Sequence, residues 1–195
     1  MWLDNANIER VMNFVIDPHK SWLSLEAAAG DGQDARSTLI RRVRDHLQAE
    51  ITGQLEPLMA TLVDEPIYNM WQPSAPMVLR GADTISALYE EMFESGAEQF
   101  EFVIETVVAD ERSVVTEGRL KQVHTASALL DQGIDEVAGQ SVQDSDLWLS
   151  DTQVVVIWPS DEDGKLVGED LYYGEEPMAT LTPIQADQLP PYFRI

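Results

Sequence analysis

Few side chains in this sequence can move protons near neutral pH: it has three histidines, no cysteine and 35 aspartates and glutamates. A neutral imidazole is the side chain best suited to general-base work at that pH. A carboxylate beside it fixes its tautomer and raises its basicity. His46 has Glu50 four residues on, one helical turn away, and the two flank an apolar stripe. His124 lies in a segment of period-two alternation, and Glu169 lies in another. Glu169 can serve His124 if the two strands meet. Glu169 and Asp170 are adjacent, and a strand sends neighbours to opposite faces, so at most one enters a shared cavity. Glu169 is the candidate. A carboxyl group buried among apolar side chains can also act alone, because burial raises its pKa. Either histidine can instead be a packed, hydrogen-bonded core residue.

Other chemistries lack their residues. Without cysteine there is no disulfide, no zinc–thiolate site and no thiol nucleophile. No glycine-rich phosphate loop, paired-histidine zinc motif or serine elbow occurs. No metal and no cofactor is expected. With 12 basic against 35 acidic residues, the formal charge is −23. Such a surface repels nucleic-acid phosphates and anionic membranes, so neither is an expected partner. The densest basic cluster is Arg41, Arg42 and Arg44 on one helix. No apolar run reaches the length of a membrane span, and the first residues do not read as a signal peptide. A cytoplasmic protein is the expectation.

The elements that must position these residues follow from periodicity. Residues 1–35 read as a helical extension and linker: Ile8, Val11, Met12 and Val15 recur at helical spacing, Pro18 ends that segment, and 27–35 is a Gly- and Ala-rich connection. Leu39, Val43, Leu47 and Ile51 predict an amphipathic helix that Thr52 and Gly53 break. Leu55, Leu58, Met59 and Leu62 predict a second, with Pro57 in its first turn. Residues 66–71 form a short strand, and Pro73, Pro76 and Gly81 mark a loop. A third helix starts near Asp83, carries Ile85, Leu88, Tyr89, Met92 and Phe93 on one side, and stops at Gly96. The second half alternates as strands: 99–108, then 113–124, then 152–158, and a hairpin turn at 161–164 into 165–173. The tail, 177–195, reads as irregular. Helices followed by long hairpins argue for an α+β domain with a curved antiparallel sheet packed on N-terminal helices around a pocket.

That order of elements, with the segments GQLEPLMATLVDEPIYNMW, LRGADTISALYEEMF and GKLVGEDLYYG, resembles the nuclear-transport-factor-2-like superfamily over residues 37–175. SnoaL-like polyketide cyclases, ketosteroid isomerases, scytalone dehydratases and limonene epoxide hydrolases belong to it. The resemblance implies an α+β cone or barrel with an interior pocket, spanning 36–176. Ketosteroid isomerases carry an oxyanion-stabilising tyrosine seven residues before the glycine that ends their first helix. Here that position is His46. Their general-base aspartate matches Met70, which cannot take a proton. The strand tyrosine of limonene epoxide hydrolases matches Tyr68. The neighbouring asparagine of those hydrolases falls on Met70, and their arginine and two aspartates fall near Gly118, Leu120 and Leu171.

The same comparison turns Tyr68 and Met70 inward, with Leu120, Gln122 and His124 on one later strand and Val167, Glu169, Leu171 and Tyr173 on another. The candidate catalytic residues are therefore His46, His124, Tyr68, Glu169 and Glu50. Met70, Trp71, Leu120, Gln122, Leu171 and Tyr173 are the candidate wall of a substrate pocket. The implied activity is cofactor-independent proton transfer on a hydrophobic, oxygen-bearing small molecule: isomerisation, dehydration, cyclisation or epoxide opening. The alternatives are a non-catalytic binding domain and a dimerisation module, a homodimer being the expected assembly.

Overall fold

The structure is a computed structural model that describes residues 14–195. The helical spacing over Ile8, Val11 and Met12 lies outside those residues. A 3-10 turn at Pro18–Lys20 leads into α1 (Leu23–Ala29). Helix α2 (Ala35–Ile51) starts on Asp34, whose carboxylate accepts from the Ser37 backbone N–H at 2.8 Å. It buries Leu39, Ile40, Val43, Leu47 and Ile51 on the predicted stripe, with His46 beside them. Gly53, with φ of 66°, turns the chain into α3 (Leu55–Ala60) and then β1 (Leu62–Trp71).

The predicted loop after β1 contains a short strand, β2 (Met77–Arg80), paired back onto β1. Helix α4 (Ala82–Ser95) ends on Gly96 in the left-handed conformation. Strands β3 (Glu101–Ala109) and β4 (Ser113–Thr125) form a hairpin. The polar stretch that follows holds α5 (Ala126–Asp131) and a two-stranded hairpin of β5 (Glu136–Val137) and β6 (Gln140–Ser141). Strands β7 (Leu147–Pro159) and β8 (Leu166–Tyr173) complete the main sheet, and β9 (Thr182–Ile184) adds to β7.

The sheet order is β2-β1-β8-β7-β4-β3. The predicted antiparallel run of β4, β7 and β8 is present. The β1–β8 pair is parallel, so the sheet is mixed, not wholly antiparallel. Period-two alternation reports which face a residue takes and says nothing of strand direction. This pair also joins segments 101 residues apart. β2 and β3 remain as free edges, so the sheet curves without closing into a barrel.

Two glycines permit the curvature. Gly118 faces a bulge in β3, where Ile104 pairs with Gly118 and Thr106 with Glu117, leaving Glu105 extra. A Cβ on Gly118 would collide with the Val103 carbonyl oxygen. The bulge switches which residues of β3 face the core, from Phe102 and Ile104 before it to Val107 and Ala109 after it. In β8, Gly168 has φ of 148° and lies against the Ile67 backbone, where the β1–β8 register shifts.

The N-terminal boundary expected at residue 35 is not a packing boundary. Leu25 and Ala29 of α1, four residues apart, bury against α2 in the main core. Ile16 is fully buried in a satellite cluster with Leu147, Leu149, Ile184 and Leu189. The Gly-rich connection is tied down as well, because Arg41 donates to the Gly32 carbonyl at 2.7 Å. The tail is likewise less irregular than expected, since β9 extends the sheet. Both misreadings have one cause. Short segments with one or two apolar residues carry no periodic signal, yet each buries those residues against an element distant in sequence.

Candidate active site

The main core holds a partly open pocket of about 170 Å³ between α2, α4 and the concave face of the sheet. Its lining is mostly apolar, from side chains such as Met70, Phe100, Phe102, Leu120 and Leu171. Polar groups enter from five elements: Glu50 from α2, Tyr68 from β1, Tyr89 from α4, Gln122 from β4 and Glu169 from β8. No lysine or arginine is among the described residues that line it.

His46 sits directly behind this polar wall and is fully buried. The Thr61 hydroxyl donates its one proton to the Leu58 carbonyl at 2.6 Å. It must therefore accept from His46 Nδ1, also at 2.6 Å. This hydrogen-bond pattern assigns the Nδ1 proton and leaves Nε2 facing the wall. There Nε2 meets Glu169 Oε1 at 3.0 Å, the Tyr68 hydroxyl at 3.2 Å and the Tyr89 hydroxyl at 3.3 Å. The two phenols lie 2.9 Å apart, and Tyr89 also donates to Glu169 Oε1 at 3.4 Å. Trp158 holds the imidazole from the side in an edge-on contact, and its own indole N–H donates to Thr116.

Burial decides the electrostatics. It pushes the Glu50 carboxyl well above the usual carboxylate range, and the Glu169 charge pushes it further. The Glu50 carboxyl therefore keeps its proton to higher pH than an ordinary carboxyl group does. Burial, and next the Glu169 charge, also raise the Tyr68 and Tyr89 phenols, so both remain proton donors. Tyr173, whose side chain lines the cavity too, is raised to about 12, chiefly by burial. His46, Glu50 and Glu169 each present one ligand-type atom, all within 4.8 Å of one another, and so could hold a metal ion.

Of the residues singled out in the sequence, this site gathers His46, Glu50, Tyr68 and Glu169, with Met70, Leu120, Gln122, Leu171 and Tyr173 as wall. Glu169 partners His46, not His124. His124 is two residues beyond Gln122 on β4 and lines a separate cleft with Gln122 and Phe193. There its Nε2 pairs with Ser150 Oγ at 3.0 Å. Parity put it on the right face, but the strand outruns the cavity. Trp71 is 42% exposed and stacks on Tyr172 outside the cavity. Val167 does not line the cavity either. Leu166 is the buried residue at that end of β8, because the irregularity at Gly168 interrupts the alternation.

Tyr89 and Thr61 belong to the site and escaped the sequence pattern. Tyr89 was readable only as one member of the apolar stripe of α4. A buried phenol needs a hydrogen-bond partner, and that requirement is the signal that could have marked it.

The curved sheet, the helices on its concave face and the pocket between them define a nuclear-transport-factor-2-like fold. Residues 43–167 match the SnoaL-like domain, and the chain belongs to that family. Solved structures share the fold. A protein described as a SnoaL-like polyketide cyclase from Shewanella putrefaciens CN-32 superposes with a TM-score of 0.59 at 13% identity, covering 80% of this chain and 90% of that one. Another so described, from Shewanella denitrificans OS-217, gives 0.56 at 14% identity over 74% and 96%. The epoxide hydrolase/cyclase-like enzyme SalBIII, of pyran-ring formation in salinomycin, gives 0.52 at 10% identity over 75% and 96%. No curated protein matches the sequence. No helix among the described residues is long and apolar enough to cross a membrane.

Proposed function

We propose that the protein is a SnoaL-like acid–base enzyme, needing no cofactor, that acts on a hydrophobic small molecule bearing oxygen. The reaction is an isomerisation, dehydration, cyclisation or epoxide opening. The observation that carries this reading is the polar wall: two carboxyl groups and two phenols enter one apolar cavity, with a buried imidazole bonded behind them.

The roles follow from position. Glu169 faces the cavity and takes the substrate proton. His46 does not line the cavity, so it is a positioning residue that holds Glu169 Oε1 in place. Glu50, kept protonated by burial and by Glu169, returns a proton to the product. Tyr68 and Tyr89 donate to the substrate oxygen on which charge develops. The apolar wall of Met70, Leu120 and Leu171 binds the hydrocarbon part and excludes water. At the matching positions other members of the superfamily carry acids, which supports a second reading, a non-catalytic binder of the same ligand class.

Solvent-deuterium exchange into hydrophobic ketones, followed by proton NMR, together with turnover of hydrophobic epoxides, tests the enzyme reading. The wild type should exchange or turn over at least one such compound, and Glu169→Gln should not. Binding of these compounds with no catalysed exchange or turnover would favour the binder.

A further inference from the structure

We infer that His46, Glu50 and Glu169 form a site for one zinc-type dication, which inhibits the proposed reaction by occupying its proton-transfer groups. The inhibition rests on the acid–base reading above; the binding does not.

Charge and geometry point there together. Thr61 takes the Nδ1 hydrogen bond, which turns Nε2 toward Glu169 Oε1 at 3.0 Å. An imidazole nitrogen and a carboxylate oxygen at that distance can share one positive species. The described lining of the cavity offers no lysine or arginine, so a proton or a metal cation must supply it. The third group, Glu50, reaches the same place, its carboxylate oxygen lying within 4.8 Å of the other two ligand atoms. Among the described residues no hydrogen bond holds that carboxyl group, and it lines the pocket. It is a pocket-facing ligand that no hydrogen bond among the described residues ties elsewhere.

Zinc binds imidazole and carboxylate at about 2.0–2.2 Å, so two ligands on a tetrahedral ion lie roughly 3.3 Å apart. The His46–Glu169 separation is close to that, and a small rotation of Glu50 closes the third side. The fourth position opens toward the Tyr68 and Tyr89 hydroxyls, where water completes the shell. Thr61 plays the part that outer-shell partners play at histidine metal sites, holding the ring and its tautomer. Magnesium and calcium are disfavoured, because they take six or more oxygen ligands and this site offers three groups, one of them nitrogen.

Isothermal titration of the chelator-treated full chain with zinc chloride, in excess magnesium to occupy surface carboxylates, tests the site. One zinc per chain should bind, and cobalt should give the strong visible absorption of a tetrahedral centre. His46→Ala and Glu169→Gln should each weaken zinc by about 10–100-fold or more. Glu50→Gln should weaken it too. Glu50 carries no hydrogen bond, so that variant keeps the test valid if His46→Ala does not fold. Zinc affinity unchanged in Glu50→Gln and Glu169→Gln, or no binding under excess magnesium, overturns the site. The titration needs no substrate. Zinc binding without any turnover would overturn only the enzyme reading, and turnover without zinc binding only this one.

Discussion

His46 and His124 obey the same sequence rule and end in opposite surroundings. Both are buried, on an apolar helix face and on an alternating strand respectively. His46 has both ring nitrogens bonded and joins groups from the end of α3, from β1, from α4 and from β8. His124 has one side-chain partner, Ser150, on the neighbouring strand, and burial alone pushes its imidazole below the usual range. Burial removes water from both rings. Only at His46 do distant elements replace that water with carboxylates and phenols, and this replacement makes a reactive site out of a packed residue.

The sharpest way to break the comparison is by rate. Glu169→Gln should lower turnover by about 10²–10⁴-fold, the scale for losing a general acid or base, whereas His124→Gln should change it by less than about threefold. Comparable losses in steady-state assays would place His124 in the chemistry.

Stability separates the two next. His46→Ala leaves the Glu169 carboxylate buried without its partner and should cost about 3 kcal/mol or more in urea unfolding. His124→Ala removes one hydrogen bond and some packing, and should cost about 1–2 kcal/mol. Equal costs would mean that the His46–Glu169 pair is no more coupled than the His124–Ser150 contact.

Tyr89→Phe sharpens the picture of the wall. It deletes a donor that reaches Tyr68, His46 and Glu169 while keeping the ring, and should lower turnover by about tenfold or more with little loss of stability. An unchanged rate would leave Tyr68 as the oxygen-holding group.

The smallest effect is a pH dependence from His124. Its folded-state pKa lies below the usual 6.5, so as pH falls through 6.5 the unfolded chain takes up a proton that the folded chain refuses. Stability from this residue is intact above pH 6.5 and declines as pH drops toward the folded value. His124→Gln should lose less stability than the wild type between about pH 7.5 and 5.5 by urea titration. Parallel curves would show that the folded state protonates His124 freely.

Local rules made much of the frame legible. The four-residue repeat from Leu39 to Ile51, the breaks at Gly53 and Gly96, and the strands Ser113–Thr125 and Leu166–Tyr173 appear where periodicity places them, while β7 starts five residues before the expected 152. His46 and Glu50 share a helix face because they are one turn apart, and Tyr68 and Met70 share a strand face because they are two apart. These relations involve residues within a few positions of one another, and backbone geometry enforces them wherever the segment lies.

Partnership between segments is a different matter. The parallel β1–β8 register puts Tyr68 beside Glu169, and helix packing brings Tyr89 and His46 to the same point. No local period encodes that meeting, which gave Glu169 to His46 and left His124 outside. By itself the sequence determined the elements, their apolar faces and the residue types able to move a proton. The tertiary structure alone decided which of them share a cavity, because that depends on strand order, on the bulges opposite Gly118 and near Gly168, and on how far each strand runs past the pocket.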